Sequence, residues 1–560
     1  MALLISQKGE PMSKIDFAIN EEGKRISILS DKINRHGFIA GATGTGKTVS
    51  LKVLAEKFSS LGIPVFLSDV KGDLSGLLKP GEASEGIEKR REECKLTEEE
   101  FRYQGFPVEL FALSKEEGIP LRCTISEMGP LLLSRVLNCT DVQSDILRVV
   151  FRIADEEGLL LIDTKDLRSV LQYVAENSKE YSASFGNLPT QSLNSLIRSV
   201  VALEEAGGKE FFGEPALDVK DFFRQNEKGQ GIIHIFKAKR IMGEPKLYST
   251  FLLYLLSELY ELLPEVGDLE KPRFVFFFDE AHLLFDDAPK ALLEKLNQIT
   301  RLIRSKGVGI YYITQSPSDI PDAILAQCGN KIQHGLRAYT PAERKKIRAA
   351  ADSFRENPAF SSEEVLENLG TGEALISCLQ EDGSPAIVEK AKIFPPQSYL
   401  GEASPEEQDR AIKASSLYIR YGEAVDRDSA YEFLHRKGKE EQERFQKELE
   451  GKEAEKNRLL QEKAEEKERA KQEKEEERVQ RLKEKEEEKE RLRQERELEK
   501  EKSKQKTVMK SVGRSVSGSI GREIGSGIGK SVFGKGLGRR LGGNIGAAFG
   551  RGILETLFGK

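Results

Sequence analysis

The sequence predicts an α/β fold built on a mainly parallel β-sheet, broken by a helical insertion and followed by a long charged helix and a glycine-rich tail. Three observations predict it. A compact apolar run, Phe38-Ile39-Ala40, stops at a glycine-rich turn. Beyond the turn, Val49, Leu51, Val53, Leu54 and Phe58 recur at helical spacing, and a second apolar run covers residues 63–67. Strand, helix and strand within about 30 residues form one right-handed crossover unit of a parallel sheet. The second observation is Phe274-Val-Phe-Phe-Phe278, the most hydrophobic run in the chain, which ends on Asp279-Glu280. The third lies between Glu441 and Lys500, where 22 Glu and 19 Lys or Arg make 41 charged residues in 60, too many to join a core.

Residues 1–35 are short and mixed. From about Leu74 to Asn226, Leu131, Leu132, Val136, Ile146, Leu147, Val150 and Ile153 fall at helical spacing, which predicts a mainly helical insertion over 76–226. Residues 107–113 add one short strand ahead of it. The sheet resumes at residues 231–236, a helix covers about 246–263, and the strand 274–278 follows. A helix over about 290–305 then leads into a strand at 309–315. Residues 332–337 read as a further strand, and 374–379 with 386–393 read as a hairpin turning at Asp382-Gly383. Residues 1–75 and 227–400 thus make a core, and 401–435 a helical connector. Over 436–508, Leu449, Leu459, Val479, Leu482, Leu492 and Leu498 are too irregular for one continuous apolar seam. Glu/Lys/Arg spacing supports an exposed helix held by i,i+4 pairs, each contributing about 0.2–0.5 kcal/mol; a disordered charged linker is the alternative. Sixty such helical residues reach about 90 Å, the length of a spacer or a lever.

The tail, 509–560, repeats every four residues. Val512, Val516, Ile520, Ile524, Ile528 and Val532 form one series, and Leu537, Leu541, Ile545, Phe549, Ile553 and Leu557 a second, with glycines alongside. Small residues at this spacing permit close helix approach. Oligomerisation, attachment to a membrane surface aided by Arg514, Arg522, Arg539 and Arg540, and plain disorder all fit.

Charge and cysteines narrow the classes. The whole chain is −6 and the tail, with nine Lys/Arg against two Glu, is +7, so residues 1–508 sum to −13. Such a body does not attract nucleic acid through bulk charge, and any DNA contact needs a local patch or the tail. Cys94, Cys123, Cys139, Cys328 and Cys378 are scattered without a C-x-x-C pair, a pattern that indicates neither a disulfide framework nor a cysteine zinc site. No signal peptide and no apolar run of about 18 residues is present, so a soluble protein of the reducing cytoplasm is expected.

The chemistry is carried by Gly41-Ala42-Thr43-Gly44-Thr45-Gly46-Lys47-Thr48, a full G-x-x-x-x-G-K-T. Its glycines let backbone N–H groups turn inward around phosphates. Lys47 places a cation on the β- and γ-phosphates of ATP, and Thr48 offers a hydroxyl to Mg²⁺. Asp279 would enter the metal shell and Glu280 polarise the attacking water; alone, the pair reads equally as a solvated strand end. Gln315, after Thr314, is a γ-phosphate sensor candidate. Asp69 either bears on metal or water placement or caps the Lys71-Gly72-Asp73 turn. His36 and His282 lack a second histidine at ligand spacing and read as structural or phosphate-adjacent. Arg301, Arg304 and Arg337 are candidates for an arginine finger supplied to a neighbouring subunit.

Together these residues resemble the FtsK–HerA superfamily of P-loop motor ATPases, and more narrowly the bacterial HerA-like proteins of the YjgR type. The carriers are residues 34–48, Ser68-Asp-Val-Lys-Gly-Asp-Leu-Ser-Gly76, Gly208-Lys-Glu-Phe-Phe-Gly-Glu-Pro-Ala-Leu217, Phe278-Asp-Glu-Ala-His282 and residues 313–321. The resemblance spans roughly residues 10–400. It implies a RecA-like sheet, hydrolysis of ATP with Mg²⁺, and a hexameric ring acting on DNA. Lys47, Thr48, Asp279, Glu280 and Gln315 take the Walker A, Walker B and sensor roles. HerA carries a β-barrel ahead of its ATPase where about 35 residues stand here, so its nuclease partnership is not carried over. A second function stays open: an NTP-switched scaffold whose charged helix and tail bind a membrane surface or another protein.

Overall fold

The computed structural model describes residues 13–267, 269–286 and 288–503, with side chains to 497. The tail repeat therefore lies outside the described residues. Two units are distinguished, 1–450 and 451–560.

The first unit is organised by a 12-stranded sheet. Its strands are β1 (Lys14–Asn20), β2 (Arg25–Leu29), β3 (Gly37–Ala40), β4 (Val65–Asp69), β5 (Val108–Ala112) and β6 (Ile119–Pro120), followed by β7 (Ile233–Lys237), β8 (Phe274–Phe278), β9 (Val308–Thr314), β10 (Asn330–His334), β11 (Glu373–Ser377) and β12 (Glu389–Ile393). The order is β2-β1-β12-β11-β10-β3-β9-β8-β4-β7-β5-β6. From β10 to β6 all neighbours are parallel; β11, β12, β1 and β2 extend the sheet as an antiparallel meander. The fold class read from the sequence is the one observed.

Why the parallel strands read as unbroken apolar runs is visible in the packing. Phe274, Phe276 and Phe278 face a core shared with the helix Pro245–Leu262 and the helical segment, while Val275 and Phe277 face Leu51, Leu54 and Phe58 of the helix Lys47–Ser60. Both faces are covered, so no polar alternation is allowed. Between β6 and β7 the chain forms the helices Ile125–Val136, Asp141–Glu156, Thr164–Glu176, Ser178–Phe185 and Thr190–Leu203. Three begin with reciprocal capping pairs legible in the sequence: Thr124 with Glu127, Thr140 with Gln143, and Asp163 with Asp166. The stretch 76–226 thus holds these helices together with β5 and β6, both of which pair into the sheet.

Three strands escaped the sequence pattern: β1, β2 and the two-residue β6. β1 and β2 alternate Ile15, Phe17, Ile19, Ile26 and Ile28 with polar or small residues over short spans, and Gly23 at φ +86° turns between them. The tenth strand begins and ends earlier than its apolar run predicts: His334, opposite Ala374, is its last paired residue, and Gly335 then turns to accept from Ala42 of the glycine loop. The last described element is the helix Ala430–Ser503. Its first turn is held by Asp166, which accepts from Ser429 Oγ and from Tyr431 N (2.9 Å). From residue 451 to 497 every side chain is exposed, with i,i+4 support such as Arg458 to Glu462 at 3.2 Å.

His36 joins the sheet to the helix Lys290–Leu302. It is 2% exposed; its Nδ1 accepts from Ile310 N (3.0 Å) and its Nε2 donates to Thr300 O (2.7 Å). A proton on Nδ1 would face an N–H donor, and burial lowers the pKa from 6.5 to about 4. The unfolded chain binds this proton below pH 6.5 and the folded one does not, so the stabilisation is complete above pH 6.5 and is lost as pH falls towards 4. The loss amounts to about 3 kcal/mol at most. Urea unfolding midpoints should fall across this window in the wild type and fall less steeply in His36→Gln; parallel slopes would refute the assignment.

Candidate nucleotide-binding site

The loop between β3 and the helix Lys47–Ser60 is a shape only glycine tolerates at its two ends. Gly41 has φ +153°, and a Cβ there would meet His334 Cβ at 2.6 Å; Gly46 has φ +116°, with Gly372 backbone 3.0 Å from its notional Cβ. The loop is tied down on several sides. Ala42 N donates to Gly335 O (3.0 Å), Gly372 N to Thr45 O (2.9 Å) and Thr45 Oγ1 to Ala42 O (2.7 Å). Lys47 Nζ donates to Gly41 O (2.5 Å) and Ala42 O (3.1 Å). Burial lowers the Lys47 pKa, opposed by the charge of Glu280 and assisted by that of Lys71.

His334 is the wedge behind the loop. Its Nδ1 donates to Glu373 O (2.9 Å) and its Nε2 accepts from Ser50 Oγ (2.8 Å), which fixes the neutral tautomer. Burial lowers its pKa to about 4, and the Lys47 cation contributes. Further along the helix, buried Glu56 accepts from Gln397 N, Ser398 N and Ser398 Oγ at 2.9, 3.0 and 2.6 Å. Lys52 Nζ donates to Tyr399 O at 2.7 Å. These bonds clamp the helix that carries Lys47 to the segment after β12.

β8 delivers the acid pair. In the order β3-β9-β8-β4, the ends of four parallel strands line one edge: Gly41 after β3, Gln315 after β9, Asp279 and Glu280 after β8, and Asp69 at the end of β4. Asp279 Oδ1 accepts from Glu280 N (2.9 Å), and Glu280 takes φ +49°, an αL position unusual for a non-glycine residue. Asp279 is half-buried by surface area yet crowded by protein. That burial, with the Glu280 charge beside it, raises its pKa to about 7, and Lys71 opposes the rise. Glu280 Oε2 lies 3.4 Å from His282 Nδ1. Among the described residues no cluster of three or more His, Cys, Asp or Glu forms a metal cage. The donors present, one hydroxyl and one carboxylate short of positive charge, fit Mg²⁺, which keeps several waters and takes the rest of its shell from phosphate.

The candidate residues are not all brought together. Gln315 is exposed at the shared edge, and exposed Arg337 follows β10 on that same edge. Arg301 and Arg304 lie just before β9, at the opposite edge, and the strand between spans about 20 Å. Asp69 accepts from Gly72 N (2.6 Å) and Leu74 N (2.9 Å), the bonds of a turn cap. Its pKa is raised to about 6 by burial.

Besides His334, two residues at the site carried no signal in the sequence pattern. Tyr248, fully buried in the helix Pro245–Leu262, donates to Ser68 Oγ (2.7 Å) and to Asp279 O (3.1 Å), so it holds the ends of β4 and β8 together. Arg135, from the helical segment, donates to Leu284 O (2.9 Å) and Leu283 O (2.8 Å), capping the short helix that follows Glu280. The available clue was a polar tip or a charge inside an otherwise apolar helix face.

A glycine-rich loop with its lysine, opposite a strand ending in Asp-Glu on a parallel sheet, defines a P-loop ATPase. The chain belongs to the Helicase HerA-like C-terminal family, whose model matches residues 15–540. It is 22% identical over 371 residues to the DNA double-strand break repair helicase HerA of Sulfolobus acidocaldarius, covering 63% of this chain and 64% of that protein. It is 26% identical over 365 residues to the protein of the same description from Saccharolobus solfataricus, with the same coverage. The chain thus spans less than two thirds of the length of these relatives. Among solved structures, the plasmid coupling protein TrwB in complex with ADP and Mg²⁺ is similar at a TM-score of 0.46 and 13% identity, over 71% of this chain and 98% of that one. VirB4 of Thermoanaerobacter pseudethanolicus is similar at 0.42 and 17%, over 71% and 99%.

Two substitutions separate loop shape from acid placement. Gly46→Ala should abolish nucleotide binding in a fluorescent-analogue titration while leaving the circular dichroism spectrum intact; retained affinity would mean the loop adapts. Tyr248→Phe removes two buried hydrogen bonds and should cost about 1–3 kcal/mol of stability. It should lower kcat with little change in nucleotide Kd, and an unchanged kcat would confine Tyr248 to packing.

Proposed function

We propose that this ATPase core is a Mg²⁺-dependent, ATP-hydrolysing motor that works as a hexameric ring on DNA. The observation that carries the reading is the meeting, at one sheet edge, of Lys47 with an acid pair whose members are held in different surroundings. Asp279 is crowded by protein and suited to a cation; Glu280 sits beside it with His282 against its carboxylate. Thr48 and Asp279 would hold Mg²⁺, which when bound neutralises phosphate charge. Lys47 and the loop N–H groups orient the triphosphate, and Glu280 orients water and takes its proton. Gln315, one strand away, is placed to report on the γ-phosphate.

A ring accounts for the arginines. Arg301 and Arg304 stand at the edge remote from their own Lys47, so either could serve a nucleotide only in a neighbouring subunit, whereas Arg337 is on the loop edge. DNA as the substrate is supported by the description of the archaeal relatives as DNA break repair helicases. The exposed helix beyond residue 450 favours a second reading, a nucleotide-switched scaffold. Five free cysteines suit a reducing compartment, and among the described residues no helix is long and apolar enough to cross a membrane.

Steady-state ATP hydrolysis with and without DNA at low salt tests the proposal. Lys47→Ala should abolish turnover, and Glu280→Gln should lower it about 10²–10⁴-fold. DNA should raise the wild-type rate, with the stimulation lost steeply as salt increases. A Lys47-dependent rate indifferent to DNA would keep the ATPase and discard the DNA motor in favour of the scaffold.

A further inference from the structure

The segment that leaves β10 carries the most exposed aromatic ring of the core. Tyr339 is 82% exposed, although its own backbone is fixed. Its N–H donates to Glu343 Oε2 (2.7 Å), and the same carboxylate oxygen accepts from Thr340 N (2.8 Å) and Thr340 Oγ1 (3.0 Å). Thr340 and Glu343 thereby form the reciprocal cap of the helix Pro341–Asp352. A rigid backbone presenting an exposed ring loses little entropy when a flat partner stacks on it.

The helix that follows the ring, Pro341–Asp352, carries four exposed cations, Arg344, Lys345, Lys346 and Arg348. Lys346 lies 3.6 Å from Asp319 and Arg348 lies 3.5 Å from Glu363. Among the described residues Arg344 and Lys345 make no ion pair. Of the acidic groups around them, Glu343 is engaged in the cap, Asp319 and Glu363 face the two outer cations, and Glu364 and Glu367 sit on the packed helix Ser362–Asn368. What stays available is an exposed aromatic ring and, five and six residues further along the chain, two exposed positive charges that make no ion pair among the described residues. A ring for a base and cations for the backbone are the two components of single-strand recognition.

The same element is wired to the nucleotide site by two routes. Gly335, four residues before Tyr339, accepts from Ala42 of the loop, and His334 is wedged against Gly41. Asp319 accepts from Thr314 Oγ1 (2.8 Å) and Ser316 N (2.9 Å), on either side of Gln315, while its other oxygen faces Lys346. A shift of the loop reaches the segment through the Ala42–Gly335 hydrogen bond, and a shift of the strand end at Gln315 reaches the helix through the Asp319–Lys346 ion pair.

We propose that Tyr339, Arg344 and Lys345 form a contact surface for single-stranded DNA, with Tyr339 stacking on an unpaired base, Arg344 and Lys345 neutralising phosphates, and Asp319–Lys346 relaying the nucleotide state. This rests on the DNA-motor reading above. It gives the acidic body the local basic patch that its bulk charge lacks.

The test uses full-length protein and a fluorescent oligothymidylate, reading binding by anisotropy at several salt concentrations beside ATP turnover. Tyr339→Ala should weaken oligonucleotide binding at least fivefold, and Tyr339→Phe should restore it. Arg344→Glu with Lys345→Glu should weaken binding and flatten its salt dependence. Turnover without DNA and the melting temperature should stay at wild-type values in all three. Lys346→Ala should keep oligonucleotide affinity and lose stimulation of turnover; normal stimulation would overturn the relay. Wild-type binding and stimulation unchanged by the Tyr339 and Arg344/Lys345 substitutions would overturn the surface while leaving the DNA motor standing. A wild type that hydrolyses ATP but neither binds nor responds to the oligonucleotide would remove the DNA reading and the surface with it. Response to duplex alone, with Tyr339→Ala silent, would overturn the stacking role.

Discussion

Burial of both faces of the parallel sheet is the constraint on which the rest depends. Phe274, Phe276 and Phe278 point into one core and Val275 and Phe277 into the other, so β8 has no side on which a charged residue can stand. Polar chemistry is confined to strand ends. Because β3, β9, β8 and β4 are parallel and adjacent, their carboxyl ends bring the glycine loop, Gln315, Asp279-Glu280 and Asp69 to one edge. The site is a consequence of strand direction before it is a matter of any individual contact.

Holding that edge in shape falls to buried polar side chains that span elements. Tyr248 joins β4 to β8 beneath the acid pair, His334 backs the loop from β10, and Glu56 with Lys52 clamps the helix of Lys47. Each is a polar group inside protein whose bonds are made to fixed backbone or side-chain partners. Leaving such a partner unpaired costs more than the bond contributes when made, so the geometry is held by the penalty for breaking it. Arg135 extends the same logic to the helical segment, since its guanidinium satisfies carbonyls of the helix directly after Glu280. A displacement of that segment would have to strip those carbonyls or carry the helix along.

Local pattern revealed the parts whose signal is local. The loop motif, the crossover unit and the Phe-rich strand are all defined within a few residues. The strand order is not, because it depends on which runs pair across more than a hundred residues. β1 and β2 escaped notice since their short alternation only gains meaning once β12 lies beside β1. Tyr248, His334 and Arg135 were missed for the same reason: each acts on a partner that is near only after folding. Asp69 stood between two readings, and the hydrogen bonds from Gly72 and Leu74 are those of a turn cap. The arginines divide by edge, a property set by whether a residue precedes or follows its parallel strand.

Charge gives the last step. With residues 1–508 at −13, long-range repulsion would keep a polyanion away from the body, and at physiological ionic strength that repulsion fades beyond about 8 Å. Contact with a nucleic acid would then be decided by charges inside that distance. Opposing local charge is consumed internally at many points of the surface, as where Glu343 closes a helix cap and Asp319 faces Lys346. What a ligand meets close in is the residue of charge left after such pairing, not the net count. An acidic composition therefore argues against electrostatic steering from a distance and leaves the sign of any particular few ångströms of surface to the side chains that found no partner.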